Sequence, residues 1–401
     1  MKNLKEKAEA YALKNAIAYD GKANPGAVIS SLFHEGLKKE EVKKYSKEIQ
    51  EIVKSVNKLS LEDQKNKFEN TKENVSERDQ REGLPELPDT NKGIVMRLAP
   101  APSGPFHIGN ALTFCLSAIY TEKYKGKLYI RIEDTNPENI YLPIYKLIEE
   151  DSKWLFKGLG EIIIQSDRMK LYYKYAEKFI NKKAAYVCEC SGDEFREYSK
   201  QKKNCPCRKK SLEQNKKDWK KMLDKKGFSE GQAVLRFKTS EGMKDPNPAM
   251  RDFPLARINL AKHPRVGNKY RVWPLMNLAV TTDDIEMKMT HIIRGKDHRD
   301  NAERQKRMYK VLGKKYPWAF FGGRIKFKDL ILSKTQIRKD IEAGKYSGWD
   351  DPQLPTIASL RKRKYTPDAF WKLSEHVGLS ENDKVIEKKE YFYLLDIFNK
   401  K

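Results

Sequence analysis

Arg97-Leu-Ala-Pro-Ala-Pro-Ser-Gly-Pro-Phe-His107-Ile-Gly-Asn110 is the stretch that decides the fold. An apolar run, Ile94 to Leu98, leads into it, and a helical pattern, Ala111 to Tyr124, leads out. A strand that enters a tight Pro/Gly turn and leaves as a helix gathers backbone N–H groups around one point. The first turn of such a helix has unpaired donors and the positive end of the dipole, so it favours phosphate. Gly109 leaves room for a nucleotide to come close, and His107 offers a hydrogen bond beside the phosphates. A second strand, Lys127 to Glu133, completes a βαβ unit with its ligand crevice at the strand ends. His-Ile-Gly-Asn alone would suit an ordinary surface histidine equally well.

The 401 residues around this unit allow about two to three domains with their own cores. Charged residues make up 34% and the net charge is +25, which points to a polyanionic partner. A lysine-rich surface kept charged for solubility has the same composition. Met1 to Asp20 is charged and helix-patterned, without the apolar core of a signal peptide. No stretch reaches the ~18 apolar residues of a membrane span, so a soluble cytoplasmic protein is expected, with no membrane partner. Five cysteines in this length are not a disulfide scaffold, and four of them cluster.

The full string from Arg97 resembles the HIGH signature of class I aminoacyl-tRNA synthetases, in the form R-x-A-P-x-P-S-G-x-x-H-I-G of glutamyl-tRNA synthetases. Ile130-Arg-Ile-Glu-Asp-Thr135 resembles that family's next block. Asp329-Leu-Ile-Leu-Ser333-Lys334-Thr335 is similar to its KMSKS loop, although a solvated Ser-Lys-Thr loop would read alike. Gly344-Lys-Tyr-Ser-Gly-Trp-Asp-Asp-Pro352 resembles the archaeal and eukaryotic glutamyl/glutaminyl branch. Tyr11-Ala-Leu-Lys-Asn-Ala and Gly21-Lys-Ala-Asn-Pro resemble the N-terminal helical extension of the archaeal type.

The resemblance implies an α/β protein: a class I Rossmann-like nucleotide fold with an inserted acceptor-binding module, an N-terminal helical extension and a C-terminal helical region. The expected divisions are the extension over 1–70, a linker over 71–93 and the first half of the nucleotide fold over 94–186. An inserted module follows over 187–284, then the second half over 285–328, then the KMSKS-like loop and helical stem-contact region over 329–401. Periodicity predicts helices over Leu142–Leu159, Asp167–Asn181 and Asp300–Leu312. It predicts strands at Gln232–Lys238, Met250–Arg257 and Thr290–Gly295, and a buried strand from Ile162 to Ser166.

Carried over position by position, the resemblance places ATP, with Mg²⁺, on Pro100, Ala101, Pro102, Gly104, His107, Gly109, Asn110, Ser333 and Lys334. His107 and Lys334 take the catalytic roles, Lys334 neutralising charge on the departing pyrophosphate as a point charge on a flexible stem. Glutamate falls to Arg97, Ala99, Ser103, Glu133 and Arg294. An arginine fork suits a carboxylate and Glu133 suits the α-ammonium, but each is open to a structural ion pair instead. Cys188-x-Cys190 and Cys205-x-Cys207 are two thiol pairs that could close on Zn²⁺, with metal-free thiols or a disulfide as the other reading. Cys115 reads as plain core.

The family pattern is departed from at Asn110, where a second histidine is usual, at Ile285, which cannot hydrogen-bond, and at Lys288, where a glycine is usual. The pattern also stops short of the two β-barrels that read the anticodon, which leaves two expectations open: a separate polypeptide carrying them as a partner, or a truncated gene. The implied reaction joins glutamate to AMP and passes it to the 3′ end of tRNA(Glu), with tRNA(Gln) left open as a second acceptor. Two rivals are a glutaminyl-tRNA synthetase and a non-catalytic tRNA-binding paralogue, the latter resting on the three departures.

Overall fold

A computed structural model describes residues 3–76, 83–330 and 332–400, in two units that divide between residues 82 and 83. Of the expected linker, residues 77–82 lie outside the described residues, as does Ile331 in the KMSKS-like stretch.

The first unit is four helices: α1 (Leu4–Ala18), α2 (Pro25–His34), α3 (Val42–Val56) and α4 (Leu61–Thr71). Ala8, Ala12 and Ala16 are fully buried on α1, and their small side chains let the other helices approach it closely. Asn24 caps α2 by accepting the Gly26 N–H at 2.8 Å, with Pro25 at the first helical position. Ser60 caps α4 in the same way.

The second unit opens on Leu87, buried in its main core beside Tyr120. There β1 (Val95–Leu98), α5 (Ile108–Lys123), β2 (Lys127–Ile132), α6 (Pro143–Leu155) and β3 (Glu161–Ile164) form two successive βαβ crossovers, with all three strands parallel. The strand expected within 162–166 is β3, half-buried rather than buried, because among the described residues no strand pairs with its outer side. After α7 (Met169–Asn181) the chain leaves for an antiparallel sheet: β4 (Ala185–Cys188), β5 (Val234–Phe237), β6 (Pro254–Ile258) and β7 (Val272–Pro274), with α8 (Gly192–Lys200) and α9 (Leu212–Leu223) between β4 and β5. It returns through α10 (Met276–Glu286) into β8 (His291–Gly295), α11 (Arg299–Val311) and β9 (Trp318–Gly322), the two strands parallel.

β8 runs beside β1, tied by the Thr290 N–H to the Val95 carbonyl at 3.0 Å. The sheets β3-β2-β1 and β8-β9 therefore lie side by side, and the order of the strands reverses where β1 meets β8. In doubly wound sheets that reversal point, at the carboxyl ends of the strands, is where ligands bind. Here those ends carry Arg97, Glu133 and Arg294. The chain closes with β10 (Ile325–Phe327), α12 (Lys334–Glu342), α13 (Ile357–Lys362), α14 (Pro367–Val377), β11 (Lys384–Ile386) and α15 (Lys388–Asn399). α14 packs on α5 and α15, completing the core around Phe106, Phe156 and Phe370. Among the described residues no helix is long and apolar enough to cross a membrane.

Candidate active site

The turn after β1 is held from two sides. Ile108 donates its N–H to the Pro355 carbonyl at 3.0 Å, and Ile357 donates to the Phe106 carbonyl at 2.9 Å. The 344–352 block upstream folds on itself, with Asp351 accepting the Ser347 and Gln353 N–H groups, each at 2.9 Å. That folded loop is what delivers residues 355–357 to the turn.

His107 is the N-cap of α5. Its Nδ1 accepts the Gly109 N–H at 3.1 Å, so the ring proton belongs on Nε2. The Asn110 carboxamide accepts the His107 N–H at 3.0 Å, closing a capping box. Asparagine at 110 therefore fixes the helix start, which a histidine there would do less directly. Burial, and then the neighbouring Lys334 charge, hold His107 far below the ordinary histidine range, at about 3. It is a neutral donor at any working pH.

The KMSKS-like segment lies on this turn. Ser333 caps α12, and Lys334 at its first position donates Nζ to the Gly104 carbonyl at 3.1 Å. The contact needs a glycine: a Cβ at position 104 would stand 2.8 Å from Lys334 Cβ and Cδ. One at 109 would stand 2.8 Å from Leu332 Cδ1. No carboxylate within 4 Å pairs with the ammonium among the described residues, and burial brings it down to about 8.

A crevice of about 420 Å³ opens below, at the strand ends. Arg97, Ala99, His107, Gly109, Asn110, Glu133 and Arg294 line it, seven of the expected site residues in one place. Pro100, Ala101, Pro102, Ser103 and Gly104 form the turn above and do not line it, nor do Ser333 and Lys334.

The crevice floor is a network of charges. Arg97 makes a two-pronged contact with Asp284, at 3.2 and 3.4 Å. Fully buried Arg131 donates to Asp284 at 2.6 Å and to Glu133 at 3.0 Å. Asp283 accepts from Arg168 at 2.7 Å and from Gln165 and Tyr172. Burial alone would raise the Asp284 carboxyl, but Arg97 and Arg131 hold it below its usual range. Asp283 and Asp284 both come from α10, each hydrogen-bonded to an arginine more than 110 residues away.

Arg294 is different. Its Nη1 reaches only Gln305 at 3.3 Å, and its buried Nε has no partner. No salt bridge reaches it among the described residues, and burial, then repulsion from Arg97, lowers its affinity for a proton. Arg97, Arg131 and Arg168 are matched by Asp283, Asp284 and Glu133, which leaves Arg294 uncompensated at the strand ends, while the exposed Arg324, Lys326 and Lys384 add further positive charge along the crevice. Arg131 and the aspartates were not foreseen as site residues; a charged residue in the middle of an Ile-rich strand was the available signal.

The two other departures are also accommodated. Ile285 packs against the core under the antiparallel sheet. Lys288 takes φ +56°, where the Met289 N–H reaches back to Asp284 and its own N–H to Ile285, the pattern of a helix end that glycine usually closes. Lys125, Lys157, Lys183, Lys202 and Lys364 adopt the same left-handed conformation at other helix ends.

The four clustered cysteines meet at the end of β4. Cys188 and Cys205 sulfurs lie 3.8 Å apart, as do those of Cys190 and Cys207, and all four lie within 4.8 Å of one another. A tetrahedron of sulfurs about 2.3 Å from a central metal has edges of about 3.8 Å. Two of the six sulfur–sulfur distances equal that edge and the rest lie within 4.8 Å, a cluster compatible with one metal ion, while 3.8 Å is too long for a disulfide.

Comparison with known proteins agrees with this geometry. The family described as "tRNA synthetases class I (E and Q), catalytic domain" matches residues 93–397. The chain is 42% identical over 381 residues to a glutamate–tRNA ligase of Methanocaldococcus jannaschii, covering 95% of this chain and 68% of that protein. It is 45% identical to one of Pyrococcus furiosus, covering 94% and 67%. It thus spans about two thirds of the length of these curated relatives. The fold is shared with a crystal structure of a glutamate–tRNA synthetase from Elizabethkingia anophelis, at TM-score 0.51 and 20% identity over 75% of this chain and 69% of that one.

Proposed function

The chain belongs to the glutamate–tRNA ligases of class I, and from that membership we propose that its crevice activates glutamate with ATP and transfers it to tRNA(Glu). The observation that carries the choice of amino acid is Arg294. Among the described residues its charge has no carboxylate partner, and glutamate, with a carboxylate on its side chain, supplies one. Glutamine is neutral overall and leaves that charge unmatched, which disfavours it in a buried site.

In this reading Arg294 takes the side-chain carboxylate, Glu133 the α-ammonium, and Ala99 lines the pocket, with Ser103 in the turn above it. Arg97 and Arg131 act by holding Asp284 and Glu133 in place. The attacking carboxylate oxygen then faces the α-phosphate of an ATP lying along the α5 N-terminus, over Gly109 and the Pro100–Gly104 turn. Mg²⁺ on the phosphates supplies charge neutralisation. His107 Nε2–H donates to the phosphoryl oxygens, and Lys334, released from the Gly104 carbonyl, follows the pyrophosphate as it leaves. Positioning and charge stabilisation suffice, with no covalent enzyme intermediate.

Residues 187–284 would grip the acceptor end of tRNA. Zn²⁺ held by Cys188, Cys190, Cys205 and Cys207 would order the loop between β4 and α9, where few apolar side chains are available.

Arg294→Gln tests the proposal. The glutamate KM in ATP–pyrophosphate exchange should rise about a hundredfold, the scale of losing a buried charge partner. The glutamine response should change little. An equal loss for both amino acids would remove Arg294 from the side-chain subsite.

A further inference from the structure

The loop from the antiparallel sheet that ends at β7 reaches across to the end of β2, and its contact there is built around a buried histidine. His263 is fully buried, and its ring stacks on Trp273 with centroids 4.9 Å apart and planes 9° from parallel. Nδ1 accepts two backbone N–H groups, from Arg265 at 3.1 Å and Val266 at 3.2 Å. The ring proton is thereby placed on Nε2, which donates to the Asp134 carbonyl at 2.9 Å.

The Asp134 carboxylate also lies near the ring, with Oδ2 3.6 Å from Nε2, and is itself tied elsewhere. It accepts the Ser166 N–H at 2.8 Å and the Tyr145 hydroxyl at 2.6 Å, so the residue is held from both ends. Arg265 adds a two-pronged pair with Asp167, at 2.6 and 2.7 Å. The segment so clamped begins with Glu133, which lines the crevice. It also touches the signature turn twice: the Glu133 N–H donates to the Pro100 carbonyl and the Tyr141 N–H to the Pro102 carbonyl, each at 2.9 Å.

We propose that His263 is a positioning residue for amino-acid activation, a latch by which the inserted module sets the placement of Glu133. The inference rests on the role given above to Glu133. It makes the glutamate subsite, of which Glu133 is part, depend on how the module sits more than the ATP subsite, which the segment touches only at the Pro100 and Pro102 carbonyls. Residues of the module far from the reacting atoms then change the apparent affinity for glutamate selectively.

Two substitutions separate the latch from plain packing. His263→Phe keeps a flat ring against Trp273 but loses every hydrogen bond, whereas His263→Gln keeps a donor for the Asp134 carbonyl. In pyrophosphate exchange, His263→Phe should raise the glutamate KM about tenfold, the scale of one lost hydrogen bond, with the ATP KM within about twofold. His263→Gln should restore most of it. Amide hydrogen exchange gives a readout independent of activity: the Glu133 and Tyr141 amides should exchange faster in His263→Phe and return in His263→Gln. If His263→Phe does not fold, Arg265→Met, at a partly exposed position, opens the same latch from its outer side. Equal changes in both KM values, or unchanged KM values with unchanged amide exchange, overturn the inference. A wild-type chain without glutamate-dependent exchange would sink the proposed function instead, while the amide measurement still decides the latch.

Discussion

Lys334 makes the sharpest prediction, because its environment ties its charge to pH. The ammonium is buried against Gly104 with a carbonyl for a partner, and its proton affinity falls to about 8. Its role in neutralising pyrophosphate requires the protonated form. In the free enzyme that form is lost as pH rises through about 8, so kcat/KM for ATP should fall across that range. From about pH 7.5 to about pH 9.5 the protonated fraction drops about 25-fold for a group titrating near 8, and kcat/KM should follow. kcat at saturating ATP should fall much less, since the bound triphosphate stabilises the proton. The assay is pyrophosphate exchange over that range, for wild type and Lys334→Arg. A guanidinium stays charged throughout, so the variant starts lower but stays flat. A flat wild-type profile, or wild type and variant declining in parallel, would refute the reasoning.

Other expectations concern stability. Asp151 on α6 is fully buried, both its oxygens lack hydrogen-bond partners, and the nearest cation, Arg361, stands 3.8 Å away. Burial pushes its carboxyl up to about 7. The unfolded chain loses that proton near pH 4, so the penalty is absent below about pH 4 and complete above about pH 7. Asp151→Asn should therefore stabilise by about 1–3 kcal/mol at pH 8 and by almost nothing at pH 4, after discounting a ceiling of about 4 for relaxation. Denaturant unfolding at both pH values checks this, and an equal difference at the two would contradict it. Lys288→Gly should raise stability by about 1 kcal/mol by relieving the left-handed backbone, read in the same titration. Cys207→Ser should lower bound zinc and the melting temperature together, and unchanged values in both would separate the cysteines from any metal.

Much of this site was legible before the structure. The turn from Arg97 to Asn110 declares itself because its chemistry is local: a strand end, two glycines and a helix cap fall within fourteen consecutive residues. The cysteine quartet declares itself for a similar reason, since each pair is fixed by its own spacing. Arg294 could be named from its place at a strand end, but not its lack of a partner, which depends on where Arg97 and Arg131 spend their charge. That pairing runs through α10, whose Asp283 and Asp284 carry no local sign of their contacts. Asn110 and Lys288 looked like losses when set against a family pattern. In the folded chain one completes a cap and the other closes a helix, roles that only backbone geometry reveals. β3 was misjudged because an apolar run of Ile162-Ile163-Ile164 reads as buried on both sides, whereas an edge position leaves it half covered.

The most direct test of the whole account is glutamate-dependent ATP–pyrophosphate exchange by the intact chain, run with total tRNA and with glutamine as the comparison. The account predicts exchange with glutamate and little with glutamine, as an Arg294 without a carboxylate partner requires. Exchange driven by glutamine, or folded protein that binds tRNA in a salt-sensitive way yet exchanges with neither, would contradict it.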